Sequence, residues 1–442
     1  MRVHTMPDLS TLEMTLALVG VMLLFLAGGV WVGLALQAVG LVAILLFSTR
    51  PAGDAMATTI WGSLSVWTLL PLPLFIWMGE ILFRSKVAES LFKALAPWLD
   101  PIPGRLLQVN VVGCAIFAAI SGSSAATCAT VGKITVPELR RRNYPDRMIV
   151  GSLVGSGTLG LLIPPSIIMI VYGVAADVSI SKLFIAGVFP GILLALLFMG
   201  YVAIWALMHP ARVPGRAIVA SLGEKLRELL NLIPPVILIF GVMGTIYGGL
   251  ATATQAAAIG VLGALAISLW QGGLTLRSFI DSVMGATRTT CMIMLILAGS
   301  SFLSLAMGFT GIPRELAAAI GELGLSQGEL LICLTLLYVL LGCFLDGISM
   351  IVLTMAVLLP VIQGAGFDLL WFGIFIVIVV EMAQITPPVG FNLFVVQGLT
   401  GHGIGFISRA ALPSFLIMML AVLALYVLPE LATWLPAKML AR

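Results

Sequence analysis

The sequence predicts an all-α polytopic membrane protein made of two inverted repeats, with about ten spans, two re-entrant hairpins and two discontinuous helices. Three observations indicate this class: the composition, an apolar segment that must break, and prolines that recur at one spacing. Of 442 residues, 60% are hydrophobic and 9% are charged, and the mean hydropathy is +1.16. A soluble domain has about 25% charged residues. The composition therefore excludes a soluble protein.

The stretch from Gly157 to Ser166 places two glycines and two prolines inside an otherwise apolar segment. Proline removes a backbone donor and glycine holds a helix weakly, so we expect about ten residues to be unwound at membrane depth. Unpaired backbone groups are tolerated in hydrocarbon only where they line a cavity or bind a ligand. The stretch therefore predicts a binding site.

Four prolines recur at a constant spacing in the second half of the chain. At a background of ~5% proline, four coincidences at one offset have a chance on the order of 10⁻⁵. This indicates an internal duplication, in which Thr386–Gly390 is the partner of the first break. Adding 223 to Pro137, Pro164, Pro165 and Pro190 gives Pro360, Pro387, Pro388 and Pro413.

In chain order, the first half contains three spans, an amphipathic segment, a re-entrant hairpin, a discontinuous helix and a final span. The hairpin has a weak centre at Ser121–Ser124, and each of its arms is too short to cross a hydrocarbon core of ~30 Å. The second half repeats this order, with its hairpin tip at Leu345–Gly347. The segments of the first half are residues 11–48 (two spans), 60–83, 87–100, 106–136, 148–177 and 183–207.

These segments divide the chain into five units. Each repeat has scaffold spans with an amphipathic arm, followed by a transport half with a hairpin and a broken helix. The predicted units are scaffold 1–104, transport half 105–208, cytoplasmic linker 209–228, scaffold 229–325 and transport half 326–442.

The orientation follows from the basic residues. Three spans before each hairpin and two after it place the start of the second half on the opposite face from the start of the first. If the first hairpin opens to the cytoplasm, that side carries 16 of the 22 Lys and Arg residues and the other side carries 6. The positive-inside rule selects this orientation. We therefore expect inverted repeats with both termini outside.

Inverted repeats with hairpins and broken helices are typical of secondary transporters, whose sites lie near the bilayer midplane. A hard cation such as Na⁺ needs several oxygen ligands, and helix N-termini favour an anionic substrate group. Ser and Gly also serve close helix packing in membranes, and that alternative stays open for each single residue. The first candidate cluster is Ser121, Gly122, Ser123, Ser124, Gly157, Thr158, Pro164 and Pro165, and the second is Asp346, Gly347, Ser349, Thr354, Thr386, Pro387, Gly390 and Asn392.

Two further intramembrane residues are candidates for substrate binding or coupling. Lys133 lies about ten residues past the first hairpin tip, roughly 15 Å along a helix. It could contact an acidic substrate, or it could extend to the cytoplasmic face. Glu381 lies in a site element of the second repeat, where we hypothesise proton or Na⁺ coupling.

Several motifs resemble the large membrane subunit of tripartite ATP-independent periplasmic (TRAP) transporters, and the resemblance covers essentially the whole chain. It implies Na⁺-driven uptake of an organic acid by an elevator movement in the bacterial inner membrane. It also implies a small membrane (Q) subunit and a periplasmic substrate-binding (P) protein as partners, with no nucleic acid, no enzymatic activity, no cofactor and Na⁺ as the only metal. The motifs are Ile120–Ser124, Gly157–Ser166 continuing to Gly173, Ile385–Asn392 and Leu70–Glu80.

Two other functional classes, an intramembrane protease and an ion channel, fit the sequence less well. A serine intramembrane protease needs a base near its nucleophile, but His4, His209 and His402 all map to loops or membrane edges. An aspartyl protease needs two aspartates at one depth, and Asp346 has only Glu381 as a partner. An ion channel fits less well, because two hairpins that meet head-on form an occluding gate.

Overall fold

The computed structural model describes residues 11–48, 50–214, 221–230, 232–388 and 390–439. Within these ranges the regular structure is helical and contains no β-strand. Five of the described helices are long and apolar enough to cross a membrane, and the number rises to eight if each bent pair is one span. The predicted all-α membrane class is thus confirmed, whereas the expectation of about ten spans stays a prediction.

The first half begins with α1 (Thr11–Ala27) and α2 (Val32–Phe47) and ends with the long helix α11 (Ile180–Met208). Two short 3₁₀ turns lie at Trp67–Leu69 and Pro210–Arg212. The helices between are α3 (Ala52–Leu64), α4 (Pro71–Phe83), α5 (Val87–Leu99), α6 (Leu107–Ser121), α7 (Ser124–Arg141), α8 (Asp146–Gly157), α9 (Leu159–Leu162) and α10 (Ile167–Ala175).

A linker helix, α12 (Leu222–Leu230), leads into the second half. The predicted linker 209–228 is described at 209–214 and 221–228. The division of the chain into five units stays a prediction. The second half consists of α13 (Ile233–Tyr247), α14 (Ala253–Trp270), α15 (Leu276–Thr310), α16 (Ile312–Glu322), α17 (Gln327–Leu341), α18 (Gly347–Gly364), α19 (Leu369–Gln384), α20 (Phe391–Thr400), α21 (Ile404–Val427) and α22 (Glu430–Met439).

The helix bounds recur at the spacing that the prolines show. Helix α7 has 18 residues, and adding 223 to its bounds, 124 and 141, gives 347 and 364, the bounds of the 18-residue helix α18. Both helices start directly after a residue whose side chain accepts backbone N–H bonds, Ser123 for α7 and Asp346 for α18. The two hairpins therefore have second arms that begin and end at equivalent positions.

The third span of the first half differs from its predicted form. Residues 60–83 are predicted as one span, but they lie in α3 and α4, which form a pair bent by 55°. Proline is favoured at the first helical position, where its missing N–H costs nothing, and it disfavours a preceding helical turn. Pro71 occupies that position in α4. The corresponding segment of the second half, α15, is one helix of 35 residues.

The first break is shorter than predicted. Of the ten residues from Gly157 to Ser166, Leu159–Leu162 form a helical turn, and only Ile163–Ser166 separate α9 from α10. The predicted unwinding over about ten residues was therefore wrong. The glycines serve packing instead, because a Cβ atom on Gly160 would lie 2.6 Å from the backbone nitrogen of Ser124. Helix α8 ends at Gly157, and the prolines follow α9 after Ile163.

The hairpin-bearing elements of the two halves pack on one another. Helix α7 contacts α20, and α8 contacts α21. The earlier helices form a second group, in which α2 lies along α15 and α4 packs on α14 and α15. The two groups meet at several helix pairs, among them α4 with α6 and α15 with α18. A Cβ atom on Gly79 of α4 would lie 3.1 Å from the carbonyl oxygen of Ser121.

Candidate functional site

The tip of the first hairpin is a tight turn that rests on the first break. Gly122 ends α6 in the left-handed conformation, with φ of 61°, which a residue with a Cβ atom adopts at a cost. A Cβ atom there would lie 2.7 Å from the carbonyl oxygen of Pro165. The backbone N–H of Ile167 donates to the carbonyl oxygen of Gly122 at 3.2 Å. The tip and the break therefore form one unit.

Hydroxyl groups line this unit. The Oγ of Ser121 lies 2.7 Å from Oγ1 of Thr127, and Ser123 caps α7 by accepting the N–H of Ala126 at 3.4 Å. Thr158 is buried and donates to the carbonyl oxygen of Gly155 at 2.6 Å. A hydroxyl that donates one hydrogen bond keeps oxygen lone pairs for other partners. These groups can therefore still ligate a cation.

The loop of the first break is enclosed. Pro164 and Pro165 are buried, and Ser166 caps α10 by accepting the N–H of Met169 at 3.4 Å. The same hydroxyl donates to the carbonyl oxygen of Leu161. Gly157 packs closely on α7, because a Cβ atom on it would lie 2.9 Å from Cβ of Cys128.

The second hairpin tip has an acidic cap. Asp346 is half-buried, and its Oδ2 accepts the N–H groups of Ile348 at 3.1 Å and Ser349 at 3.3 Å. Its Oδ1 accepts the hydroxyl of the buried Ser349. An anionic carboxylate at a helix N-terminus is stabilised by the helix dipole. Asp346, Gly347 and Ser349 thus form a compact group at the start of α18.

The second break lies next to this tip. Cys343 donates to the carbonyl oxygen of Pro387 at 3.4 Å, and the N–H of Gly390 donates to the carbonyl oxygen of Thr386 at 3.0 Å. The Thr386 hydroxyl donates to the carbonyl oxygen of Met382 at 2.7 Å. Unlike the enclosed prolines of the first break, Pro387 is exposed.

One predicted member of the second cluster lies away from the tip. Thr354 is eight positions beyond Asp346, about 12 Å along the helix. Its hydroxyl bonds with the Tyr338 hydroxyl and with the carbonyl oxygen of Met350 at 2.8 Å. The structure therefore does not bring Thr354 together with the other members of its cluster.

The two clusters approach each other across the repeats. Helix α10, which follows the first break, packs on α18, and α9 packs on α19. A Cβ atom on Gly347 would lie 3.2 Å from Cδ1 of Ile168. The tip of the second hairpin therefore touches the helix that follows the first break.

Several buried side chains of these elements have unpaired polar atoms within the described part of the chain. Asn392 is fully buried, and neither its Oδ1 nor its Nδ2 makes a hydrogen bond. Both carboxyl oxygens of Glu381 and the Oε1 of Gln384 are also unpaired. A buried polar group without a partner costs about 1–3 kcal/mol. A bound ligand that hydrogen-bonds to these atoms, or is coordinated by them, would remove that cost. The sequence predicted Asn392 and Glu381 but not Gln384.

Lys133 lies on the surface of α7. Its side chain is exposed, and it forms none of the ion pairs found among the described residues. An exposed position fits both contact with an acidic substrate and extension of the side chain to the cytoplasmic face.

A polar group that the sequence did not predict joins the two halves. His402 Nε2 lies 2.6 Å from Oδ2 of Asp146, and Arg140 binds the same carboxylate through two nitrogens, at 3.0 and 3.1 Å. Arg140 also donates to the carbonyl oxygen of Thr400 at 3.1 Å. His402 is thus held by Asp146 and Arg140 rather than placed as a base for Ser123.

The chain is similar in sequence to known proteins over most of its length. The family model described as "Tripartite ATP-independent periplasmic transporter, DctM component" matches residues 19–431. The chain is 33% identical over 398 residues to the C4-dicarboxylate TRAP transporter large permease protein DctM of Pseudomonas aeruginosa, covering 90% of this chain and 92% of that protein.

Two further similarities extend the comparison. The isethionate TRAP transporter permease protein DctMQ of Oleidesulfovibrio alaskensis is 31% identical over 409 residues, which cover 92% of this chain and 64% of that protein. The solved structure of the Alcanivorax borkumensis YdaH transporter superposes with a TM-score of 0.59 at 15% identity, covering 96% of this chain and 98% of that chain. The latter likeness concerns the fold alone. The chain belongs to the DctM component family of the TRAP transporters, whose members are large transporter permeases of the membrane and not enzymes.

Proposed function

We propose that the chain is the permease of a Na⁺-coupled secondary transporter that takes up an organic acid across the bacterial inner membrane. The observation that carries this proposal is the matched pair of hairpin tips. Each tip begins an 18-residue helix behind a capping side chain, Ser123 or Asp346, and each lies against a proline break. Broken helices that meet at the centre of inverted repeats are a recurrent design for ion and substrate sites.

The two clusters are the proposed Na⁺ sites. The first takes oxygens from Ser121, Ser123 and Ser124 and from the backbone near Gly157 and Thr158. The second takes oxygens from Asp346, Ser349 and Asn392 and from the backbone near Thr386. Na⁺ prefers hard oxygen ligands, and the unpaired amide of Asn392 supports the second assignment.

The substrate of this chain is proposed to be an organic anion. The two relatives described above are named for transport of C4-dicarboxylates and of isethionate. The N-termini of α10 and α20 follow the two breaks, and helix N-termini favour anions. Lys133 is a further candidate for the acidic group.

An elevator movement fits the packing. Helices α7 and α8 contact α20 and α21, so the two hairpin-bearing halves can move as one body. The helices α2, α4, α14 and α15 pack among themselves and would form the static scaffold. Alternating access would then carry both clusters across the bilayer together.

Two protein partners complete the proposal. The name of the DctMQ relative joins M and Q components in one protein, which supports a separate small membrane subunit for this chain. A periplasmic binding protein would deliver the substrate.

Uptake into proteoliposomes tests this function. The permease with its small subunit should accumulate a labelled C4-dicarboxylate or isethionate only when an inward Na⁺ gradient and the binding protein are both present. A K⁺ gradient of the same size is the matched control. Uptake that needs no Na⁺ gradient would contradict the proposal.

A further inference from the structure

Helix α19 carries two buried polar side chains on one turn. Glu381 is 1% exposed and Gln384 is 5% exposed. Residues three apart on a helix share a face. Both carboxyl oxygens of Glu381 and the amide oxygen of Gln384 lack hydrogen-bond partners among the described residues. One helical turn thus presents three unpaired buried oxygens.

Glu381 faces the first cluster. Its carboxyl lies beside the Ser124 hydroxyl and the backbone of Leu161, although neither reaches the geometry of a hydrogen bond. The Cys128 thiol also lies near the Glu381 carboxyl. Helix α9, to which Leu161 belongs, packs on α19. Glu381 of the second repeat therefore reaches the tip and the break of the first repeat.

Gln384 faces the second cluster. A Cβ atom on Gly347, the first residue of α18, would lie 2.6 Å from Nε2 of Gln384. A Cβ atom on Gly390, at the end of the second break, would lie 2.7 Å from the backbone oxygen of Gln384. Gln384 therefore lies between the second tip and the second break.

The chemistry of these oxygens fits a monovalent cation. An ionised carboxylate that is buried needs a cation close by. None of the ion pairs among the described residues includes Glu381. A carboxylate and an amide oxygen are hard ligands of the kind that Na⁺ prefers.

We propose that Glu381 and Gln384 are Na⁺ ligands, Glu381 in the first cluster and Gln384 in the second, and that this turn of α19 couples the filling of the two clusters. Na⁺ in one cluster fixes the turn and thereby orients the ligand oxygen of the other. The second ion then binds to an ordered site, which gives positive cooperativity. This inference rests on the proposed function, because it requires both clusters to bind Na⁺.

Equilibrium binding of radioactive Na⁺ to the purified permease tests the coupling. The native protein should give a sigmoid isotherm with a Hill coefficient above 1. Glu381→Gln removes the negative charge and Gln384→Ala removes the amide. Each should weaken half-saturation about tenfold and lower the Hill coefficient to about 1.

Matched controls separate this role from folding. Glu80→Gln makes the same chemical change in α4, where the carboxylate pairs with Arg84 at 3.0 Å, and Gln37→Ala removes an amide from α2. Both control variants should bind Na⁺ with the same isotherm as the native protein. If Glu381→Gln does not yield a monodisperse protein, Glu381→Asp keeps the charge on a shorter side chain and should give a weaker isotherm that is still sigmoid.

The outcomes are distinct. Variants of Glu381 and Gln384 that bind Na⁺ as the native protein does would overturn the ligand assignment. A native isotherm without cooperativity would overturn the coupling but leave Na⁺ use intact. A native protein with no saturable Na⁺ binding would overturn the proposed function as well.

Discussion

The left-handed Gly122 lies against Pro165, so that a Cβ atom on the glycine would be 2.7 Å from the proline carbonyl oxygen. This contact joins the tip of the first hairpin to the break in the next helix. The geometry of the first cluster therefore requires a glycine at position 122.

Gly122→Ala should therefore open the first tip. The substitution adds both backbone strain, about 1–2 kcal/mol, and a clash with Pro165. We expect uptake to fall by about tenfold or more, since a small misplacement of site groups costs this much. Uptake by proteoliposomes measures the change. Gly200→Ala, where no atom lies within 4 Å of the new Cβ atom, is the control, and equal activity of the two variants would contradict the account.

Ser123→Ala with Ser124→Ala should weaken Na⁺ activation of uptake, because it removes two oxygens from the first cluster. We expect the half-saturating Na⁺ concentration to rise about tenfold, the effect of losing roughly 1.4 kcal/mol of binding. Loss of the Ser123 cap alone costs about 0.5–2 kcal/mol of stability. Ser326→Ala removes a comparable cap from α17 and should leave Na⁺ activation unchanged. Identical Na⁺ dependence of the double variant and the native protein would remove these hydroxyls from the site.

Asn392→Leu should abolish Na⁺-dependent transport without lowering the stability of the protein. The native amide is fully buried and unpaired, so an apolar side chain of similar volume removes a desolvation cost. We expect a thermal unfolding midpoint that is equal to or above the native one, together with loss of Na⁺-dependent uptake. A variant that transports normally would show that the amide has no role in the site.

The contact between Asp146 and His402 should contribute a coupling energy to stability, beside the separate pairing of Asp146 with Arg140. Asp146→Asn and His402→Ala each break the contact that holds α8 to the loop before α21. Contacting residues usually show coupling energies of about 0.5–3 kcal/mol, and the partial exposure of this pair places it at the lower end. The thermal midpoints of the two single variants and the double variant measure this coupling. Strictly additive shifts would mean that the contact contributes nothing.

The hairpin tips could be predicted from the sequence because their signals are local. Ser121–Ser124 and Leu345–Gly347 combine glycine with capping side chains between apolar arms, and the structure places caps at Ser123 and Asp346. The offset of 223 also located the second break from the first. Such features need no knowledge of tertiary contacts.

The features that the sequence did not predict depend on contacts between distant segments. Gly160 lies within the predicted break, but it packs against Ser124 instead of ending a helix. Gln384 carries no local signal, and its position beside Gly347 of the second tip follows only from the packing of α19 on α18. His402 meets Asp146 across 256 positions. A single sequence does not specify which helices will be neighbours.

Coupled flux of radioactive Na⁺ tests the central claim most directly. Proteoliposomes with the permease and its small subunit are loaded without Na⁺, and Na⁺ entry is measured with and without substrate-loaded binding protein. Delivery of substrate should accelerate Na⁺ entry in the native protein, and the Ser123→Ala, Ser124→Ala double variant should lose this acceleration. Na⁺ entry that is independent of substrate in the native protein would contradict Na⁺-coupled transport.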